Sequence, residues 1–279
     1  MVQQRFLPFK KSRICYYIYG SGPQLAFCLH GYSNNATLFG QLEPALGSGF
    51  TLIALDLPFH GLTRWGRDHM RVEELDAILQ QILMKENKDP RYFLVGFSLG
   101  ARICMCLFNY NPAPVTKMIL LAPDGLYSSV WYKLFVRTKF GHQLMAWLLK
   151  NPRKSMTMLK WFFANKLINK TIYTYGSSFV HSKRQSTLLY ARWVSMWRLH
   201  SSLKLFQKRL RQRKVPVLMV FGKKDQITPM QNAETIRKYQ NQYLHVYKWD
   251  AGHLLLKPEY LEKLTSLFIH NYPVNLPEK

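Results

Sequence analysis

Nothing in this chain limits its fold more than residues 91–108. Arg91–Phe97 is an apolar and aromatic run of strand length. Leu99–Phe108 is an apolar run of helix length, and the junction reads Gly96-Phe97-Ser98-Leu99-Gly100. A buried strand that passes straight into a buried helix must reverse within a few residues. Glycines two before and two after the serine suit that reversal, because they remove side chains that would meet the adjacent strand and helix. The Ser98 hydroxyl is then left clear of the sheet at a helix N-terminus, where developing negative charge is favoured. A capping serine in a glycine-rich turn has the same five-residue pattern. The strand before it and the helix after it favour a nucleophile.

The same alternation runs through most of the sequence. Arg13–Tyr19, Gln24–Leu29, Phe50–Leu55, Val115–Leu121, Val215–Phe221 and Tyr243–Trp249 read as strands. Val72–Met84 carries Val72, Leu75, Ile78, Leu79, Ile82 and Leu83 at helical spacing, and Glu234–Tyr239 and Tyr260–Ile269 also read as helices. Strands separated by helix-length segments predict an α/β protein with a mostly parallel central sheet and helices on both faces. With 279 residues, 48% apolar and 19% charged, the chain has enough apolar material for a sizeable core. Cys15, Cys28, Cys104 and Cys106 show neither CxxC nor metal-ligand spacing and read as reduced, buried thiols.

Charge divides the chain further. There are 39 Lys and Arg against 15 Asp and Glu, a net charge of +24. Residues 126–214 hold 19 of the basic residues and no acid, with five of the seven tryptophans: Trp131, Trp147, Trp161, Trp193 and Trp197. The sequence therefore predicts an α/β core from residues 1–125 and 215–279, and a basic, aromatic, helical insert over 126–214. Leu144–Leu149, the Trp161-Phe162-Phe163 cluster and Met196–Leu210 are its helical segments, the last running into a basic amphipathic ending at Lys204–Lys214. The insert has three readings: a solvated lid whose aromatics line an apolar pocket, a surface for peripheral contact with an anionic membrane, or a site for an anionic substrate. Nucleic acid is the least supported of these, because no reading motif is present. Apolar runs such as Met118–Pro123 fall far short of the roughly 18 residues that span a bilayer. Residues 1–11 hold no apolar run of signal-peptide length. The expectation is a cytoplasmic protein, peripheral at the inner membrane surface if the insert docks.

A serine hydroxyl needs a base, and the base needs an orienting acid. Asp225 stands just past the Val215–Phe221 strand and His253 just past Tyr243–Trp249, so both fall at carboxyl ends of strands, where α/β sheets build sites. Asp124, past Val115–Leu121, is a second candidate acid.

At this point the chain resembles the α/β-hydrolase fold superfamily, and in particular serine hydrolases with a helical cap. The resemblance rests on five places: Leu29-His30-Gly31-Tyr32, Asp56-Leu-Pro-Phe-His60-Gly61-Leu-Thr63, Gly96-Phe-Ser98-Leu-Gly100, Gly222-Lys-Lys-Asp225-Gln-Ile-Thr-Pro229 and Gly252-His253. It implies Ser98 as nucleophile, His253 as general base and then acid, Asp225 as orienting acid, and the backbone N–H groups of Tyr32 and Leu99 as oxyanion hole. It also implies that 126–214 is a cap over the site. Some members supply the acid from the position of Asp124; the complete motif around Asp225 favours Asp225. The chain departs from the pattern at Phe59, where a glycine is usual. Ser98 excludes dehalogenase-type chemistry, which needs an aspartate there. The implied activity is an esterase or lipase acting on a small-molecule or lipid-like ester with an apolar acyl group. C–C bond hydrolysis or thioester hydrolysis with the same triad is the alternative, and a non-enzymatic binding member fits a complete triad less well. No metal or organic cofactor is called for.

Overall fold

A computed structural model describes residues 2–126, 138–168, 170–180, 183–229 and 231–270. The strands are β1 (Gln3–Phe9), β2 (Ser12–Tyr19), β3 (Gln24–Leu29), β4 (Phe50–Leu55), β5 (Tyr92–Phe97), β6 (Val115–Leu121), β7 (Val217–Gly222) and β8 (Leu244–Trp249). The helices are α1 (Glu43–Leu46), α2 (Val72–Lys85), α3 (Leu99–Tyr110), α4 (Lys139–Lys150), α5 (Pro152–Ala164), α6 (Lys170–Val180), α7 (Lys183–Met196), α8 (Leu203–Arg213), α9 (Gln231–Arg237) and α10 (Leu261–Ile269).

The eight strands form one sheet in the order β1-β2-β4-β3-β5-β6-β7-β8. The β1/β2 and β2/β4 pairs are antiparallel, and every pair from β4 through β8 is parallel. Parallel strands with helices on both faces are buried on both sides, so they read as continuous apolar runs. Every residue of β4 and β7 is buried. The hairpin strand β1 has no counterpart in the sequence reading. Its first three residues are polar, Pro8 interrupts the apolar ones that follow, and its turn carries Lys10 at φ 53° with neither Gly nor Asn to announce it.

Of the helices, α2 buries Leu75, Ile78, Leu79, Ile82 and Leu83, the stripe its spacing predicts. Helix α3 lies deeper and is buried on almost all sides, so its sequence is apolar all round. Lys117 of β6 is a buried cation. Its Nζ donates to the carbonyls of Phe268 (3.1 Å) and His270 (2.6 Å) at the C-terminal end of α10. Burial holds its pKa down, at about 8. The four cysteines are free and buried.

The chain divides into two compact units, Met1–Tyr127 with Leu199–Lys279, and Ser128–Arg198. Residues 199–214, grouped with the insert by charge, thus fall in the first unit. Helix α8 explains why. Phe206 and Leu210, one turn apart, are fully buried, and Phe206 meets Phe108 of α3 edge-on at 5.6 Å. Its arginines face outward and act locally: Arg209 donates to the Tyr110 carbonyl and Arg211 to that of Tyr239.

The second unit contains α4–α7. Thr138 caps α4 by accepting from the Gly141 N–H at 3.0 Å. Asn151 ends α4, and Pro152, whose missing N–H costs nothing at a first helical position, opens α5. Ser155 seals that corner by donating to the Leu148 carbonyl. Phe163 of α5 stacks on Tyr173 of α6 at 4.7 Å. Trp131 lies outside the described residues. No helix of the described residues is long and apolar enough to cross a membrane.

Candidate active site

Ser98 sits at the turn between β5 and α3 with φ 53° and ψ −114°. A non-glycine residue there is strained by an order of 1–3 kcal/mol. The flanking glycines show how the turn accommodates it. A Cβ on Gly96 would fall 2.5 Å from the backbone of Ala101, and one on Gly100 would collide with the Leu29 carbonyl. The Ser98 N–H donates to the Leu121 carbonyl at 2.8 Å, which ties the turn to the next strand.

Three side chains from three strand ends converge. His253, four residues past β8, places Nε2 3.1 Å from Ser98 Oγ and Nδ1 2.8 Å from Asp225 Oδ2. An ionised carboxylate can only accept, so His253 carries its proton on Nδ1, and Nε2 is left to accept from the serine hydroxyl. Asp225 is fully buried in side chain, and His253 is 20% exposed. Burial alone would raise the Asp225 pKa. Hydrogen bonding and charge from His253, with hydrogen bonds from Thr228, reverse this and hold it below the usual carboxylate value. Both Asp225 oxygens are occupied: Oδ1 accepts from the N–H groups of Ile227 and Thr228, and Oδ2 from the Thr228 hydroxyl at 2.5 Å and from His253.

Asp124, the other candidate acid, is held elsewhere. Its carboxylate pairs with Arg102 of α3 at 3.1 Å, while its N–H donates to the Ser98 carbonyl.

The two backbone positions named for the oxyanion hole lie at the same end of the sheet as the serine. Leu99 is the first residue of α3, where an N–H has no intrahelical acceptor. Tyr32 lies three residues past β3, the strand that pairs with β5 through Leu29 and Gly96, so both leave the sheet at the same edge. The Tyr32 loop is braced by histidines. His60 Nε2 lies 2.6 Å from the Tyr32 carbonyl. His30 donates from Nδ1 to the Gly31 carbonyl and accepts on Nε2 from the Leu57 N–H. Buried Asp56 accepts from the N–H groups of Ala36 and Leu62, both at 2.8 Å, linking the loops after β3 and β4.

Phe59, where a glycine is usual, adopts φ 61°, a left-handed backbone that glycine adopts freely and phenylalanine rarely. Gly61 keeps its glycine with reason: φ is 48° and a Cβ would run into the Asp56 carboxylate.

Thr228, Arg102, His30, His60 and Asp56 were not singled out for roles in the sequence. Thr228 had a local signal, a hydroxyl three residues after an aspartate in a turn. Arg102 had one also, as the lone charge in an apolar helix. The two histidines and Asp56 stand in motifs that carry the resemblance, but the bonds they make across loops distant in sequence are not reported by those motifs. Among the described residues no three His, Cys, Asp or Glu side chains gather as metal ligands.

Comparison with other proteins agrees with the fold. A family profile described as the alpha/beta hydrolase fold matches residues 27–260, so the chain belongs to the α/β-hydrolase family. It is 24% identical over 255 residues, 90% of each chain, to Uncharacterized hydrolase YugF of Bacillus subtilis. It is 22% identical over 286 residues, 97% of this chain and 84% of the other, to Monoacylglycerol lipase ABHD6 of Rattus norvegicus. Among solved structures, the thioesterase domain from the curacin biosynthetic pathway superposes with a TM-score of 0.63 at 17% identity, covering 97% of this chain and 100% of that one.

Proposed function

We propose that the protein is a serine ester hydrolase that cleaves an ester of an apolar acyl group through an acyl-enzyme on Ser98. The observation that carries the reading is the continuous relay Asp225–His253–Ser98, with 2.8 and 3.1 Å steps. His253 Nε2 accepts the Ser98 proton as Oγ attacks the ester carbonyl. The oxyanion forms against the N–H groups of Tyr32 and Leu99 at the positive end of α3. His253, then an imidazolium facing the Asp225 carboxylate, gives its proton to the departing alkoxide. A water molecule, deprotonated by His253, resolves the acyl-enzyme to the free acid and restores Ser98. Similarity to a protein named a monoacylglycerol lipase, along almost the whole chain, supports an apolar acyl group.

The test is covalent. A fluorophosphonate should label the intact protein once, at Ser98, and p-nitrophenyl esters of graded acyl length should be turned over with a preference for longer chains. Ser98→Ala should abolish both. Labelling of the Ala variant at another residue, or undiminished turnover by it, would remove the proposal.

A further inference from the structure

The helices of the second unit carry a surface that ester hydrolysis does not explain. On α4, Phe140, Gln143, Trp147 and Lys150 are exposed. Their three- and four-residue spacing lines them up on one stripe. On α5, Arg153, Thr157, Lys160 and Trp161 are exposed on one arc for the same reason. The two surfaces adjoin, since the ammonium of Lys154 lies 5.0 Å from the centre of the Trp147 ring in a cation–π contact. Arg153, Lys154, Thr157, Met158 and Trp161 line an open groove of about 440 Å³.

Trp147 is 45% exposed, Trp161 57% and Phe140 63%. Single exposed apolar side chains are ordinary, but aromatics on two adjoining helices, interleaved with cations, are a patch. Residues 128–198 contain no Asp or Glu, so no carboxylate side chain within the unit can neutralise these cations. Arg209 and Arg211 of α8, by contrast, are engaged with backbone carbonyls.

We propose that the exposed face of α4 and α5 docks on the surface of an anionic phospholipid bilayer. Charge complementarity fixes the choice of partner. Lys150, Arg153, Lys154 and Lys160 meet lipid phosphates, and their methylene stems let the charged ends reach outward while the helices settle. Trp147 and Trp161 seat at the headgroup boundary, where an apolar ring with one N–H donor is at home. The attachment is peripheral and salt-sensitive. It does not depend on the reading of Ser98, because vesicle binding is measured without turnover.

The experiment is co-sedimentation of the full chain with vesicles of phosphatidylcholine, or of phosphatidylcholine mixed with phosphatidylglycerol. Binding is expected only to the mixture, with a blue shift of tryptophan emission and release by added salt. Joint Arg153→Glu and Lys160→Glu should weaken binding at least about tenfold, since each surface cation counts. Joint Lys208→Glu and Arg213→Glu on α8 changes the net charge equally and should weaken it less than about threefold. Joint Trp147→Ser and Trp161→Ser should remove most of the blue shift. Circular dichroism verifies that each variant is folded. Four outcomes overturn the proposal: no sedimentation with either vesicle; equal sedimentation with both; equal losses from the α5 and α8 variants; or a dimer in solution that the tryptophan variants dissolve, which assigns the face to a second copy.

Discussion

The two units use apolar side chains in opposite ways. In the first unit, β4 and β7 bury every residue, and the carboxyl ends of β5, β7 and β8 hold Ser98, Asp225 and His253 within hydrogen-bond reach of one another. In the second, α4 and α5 leave Phe140, Trp147 and Trp161 open to solvent. A sheet buried on both faces has one register and therefore fixes where the loops at its edge begin. The aromatics on the outside of α4 and α5 stand apart from any such packing. Tight packing and exposed aromatics thus occupy different parts of one chain.

Substitutions can break this contrast, and the largest effect is on turnover. Asp225→Asn should lower ester turnover by about four decades, because the asparagine leaves His253 in the wrong tautomer. Asp124→Asn, which touches Arg102 instead, should cost less than about tenfold by the same reasoning. The reverse order in a p-nitrophenyl ester assay would place the acid on the earlier strand end.

Stability should divide the same way. Leu120→Ala, at a fully buried position of β6, should cost about 2–5 kcal/mol. Trp161→Ala on the exposed face of α5 should stay within about 0.5 kcal/mol. Urea unfolding of both variants measures the gap, and equal losses would mean that α5 is as tightly packed as the sheet.

A finer cut separates making the site from holding it. Thr228→Val removes the hydroxyl bond to Asp225 Oδ2 but keeps the bulk, and should lower kcat by about tenfold with KM unchanged. A KM effect without a kcat effect would give Thr228 a substrate contact instead.

The smallest effect is on pH. Since the folded-state pKa of Asp225 is depressed, its stabilisation is complete above the unfolded value near 3.9. That stabilisation fades as the pH falls through the lower, folded value. The difference in Tm between the wild type and Asp225→Asn should therefore be level above about pH 5 and shrink only in strong acid. A difference that already shrinks near neutrality would mean Asp225 is not held ionised by His253 and Thr228.

Legibility in the sequence followed how local each cause is. The turn at Ser98 was readable because strand, glycine, serine, glycine and helix are contiguous. Helix α2 was readable because one face repeats along one segment. Helix α8 was misplaced because its charge belongs to its outer face, whereas its position in the fold is set by Phe206 and Leu210 on the inner one. His30, His60 and Asp56 stood in recognisable motifs, but how they brace the Tyr32 loop was not readable, because they act through carbonyl and N–H groups of distant loops. Phe59 shows a limit of another kind. Its side chain signals a departure from the family pattern, but only the backbone reveals that the turn there is left-handed.

The Lys117 ammonium bears on the order in which this protein can be completed on the ribosome. It donates its hydrogen bonds to the carbonyls of Phe268 and His270, about 150 residues downstream. Strands β3 to β6 can emerge and pair early, yet a central strand with a naked cation would be incomplete until α10 has been synthesised. Burying that charge in the sheet therefore awaits α10, which supplies its acceptors. Chains interrupted before residue 270 should stay open and sensitive to proteases, whatever fraction of the sheet they already contain.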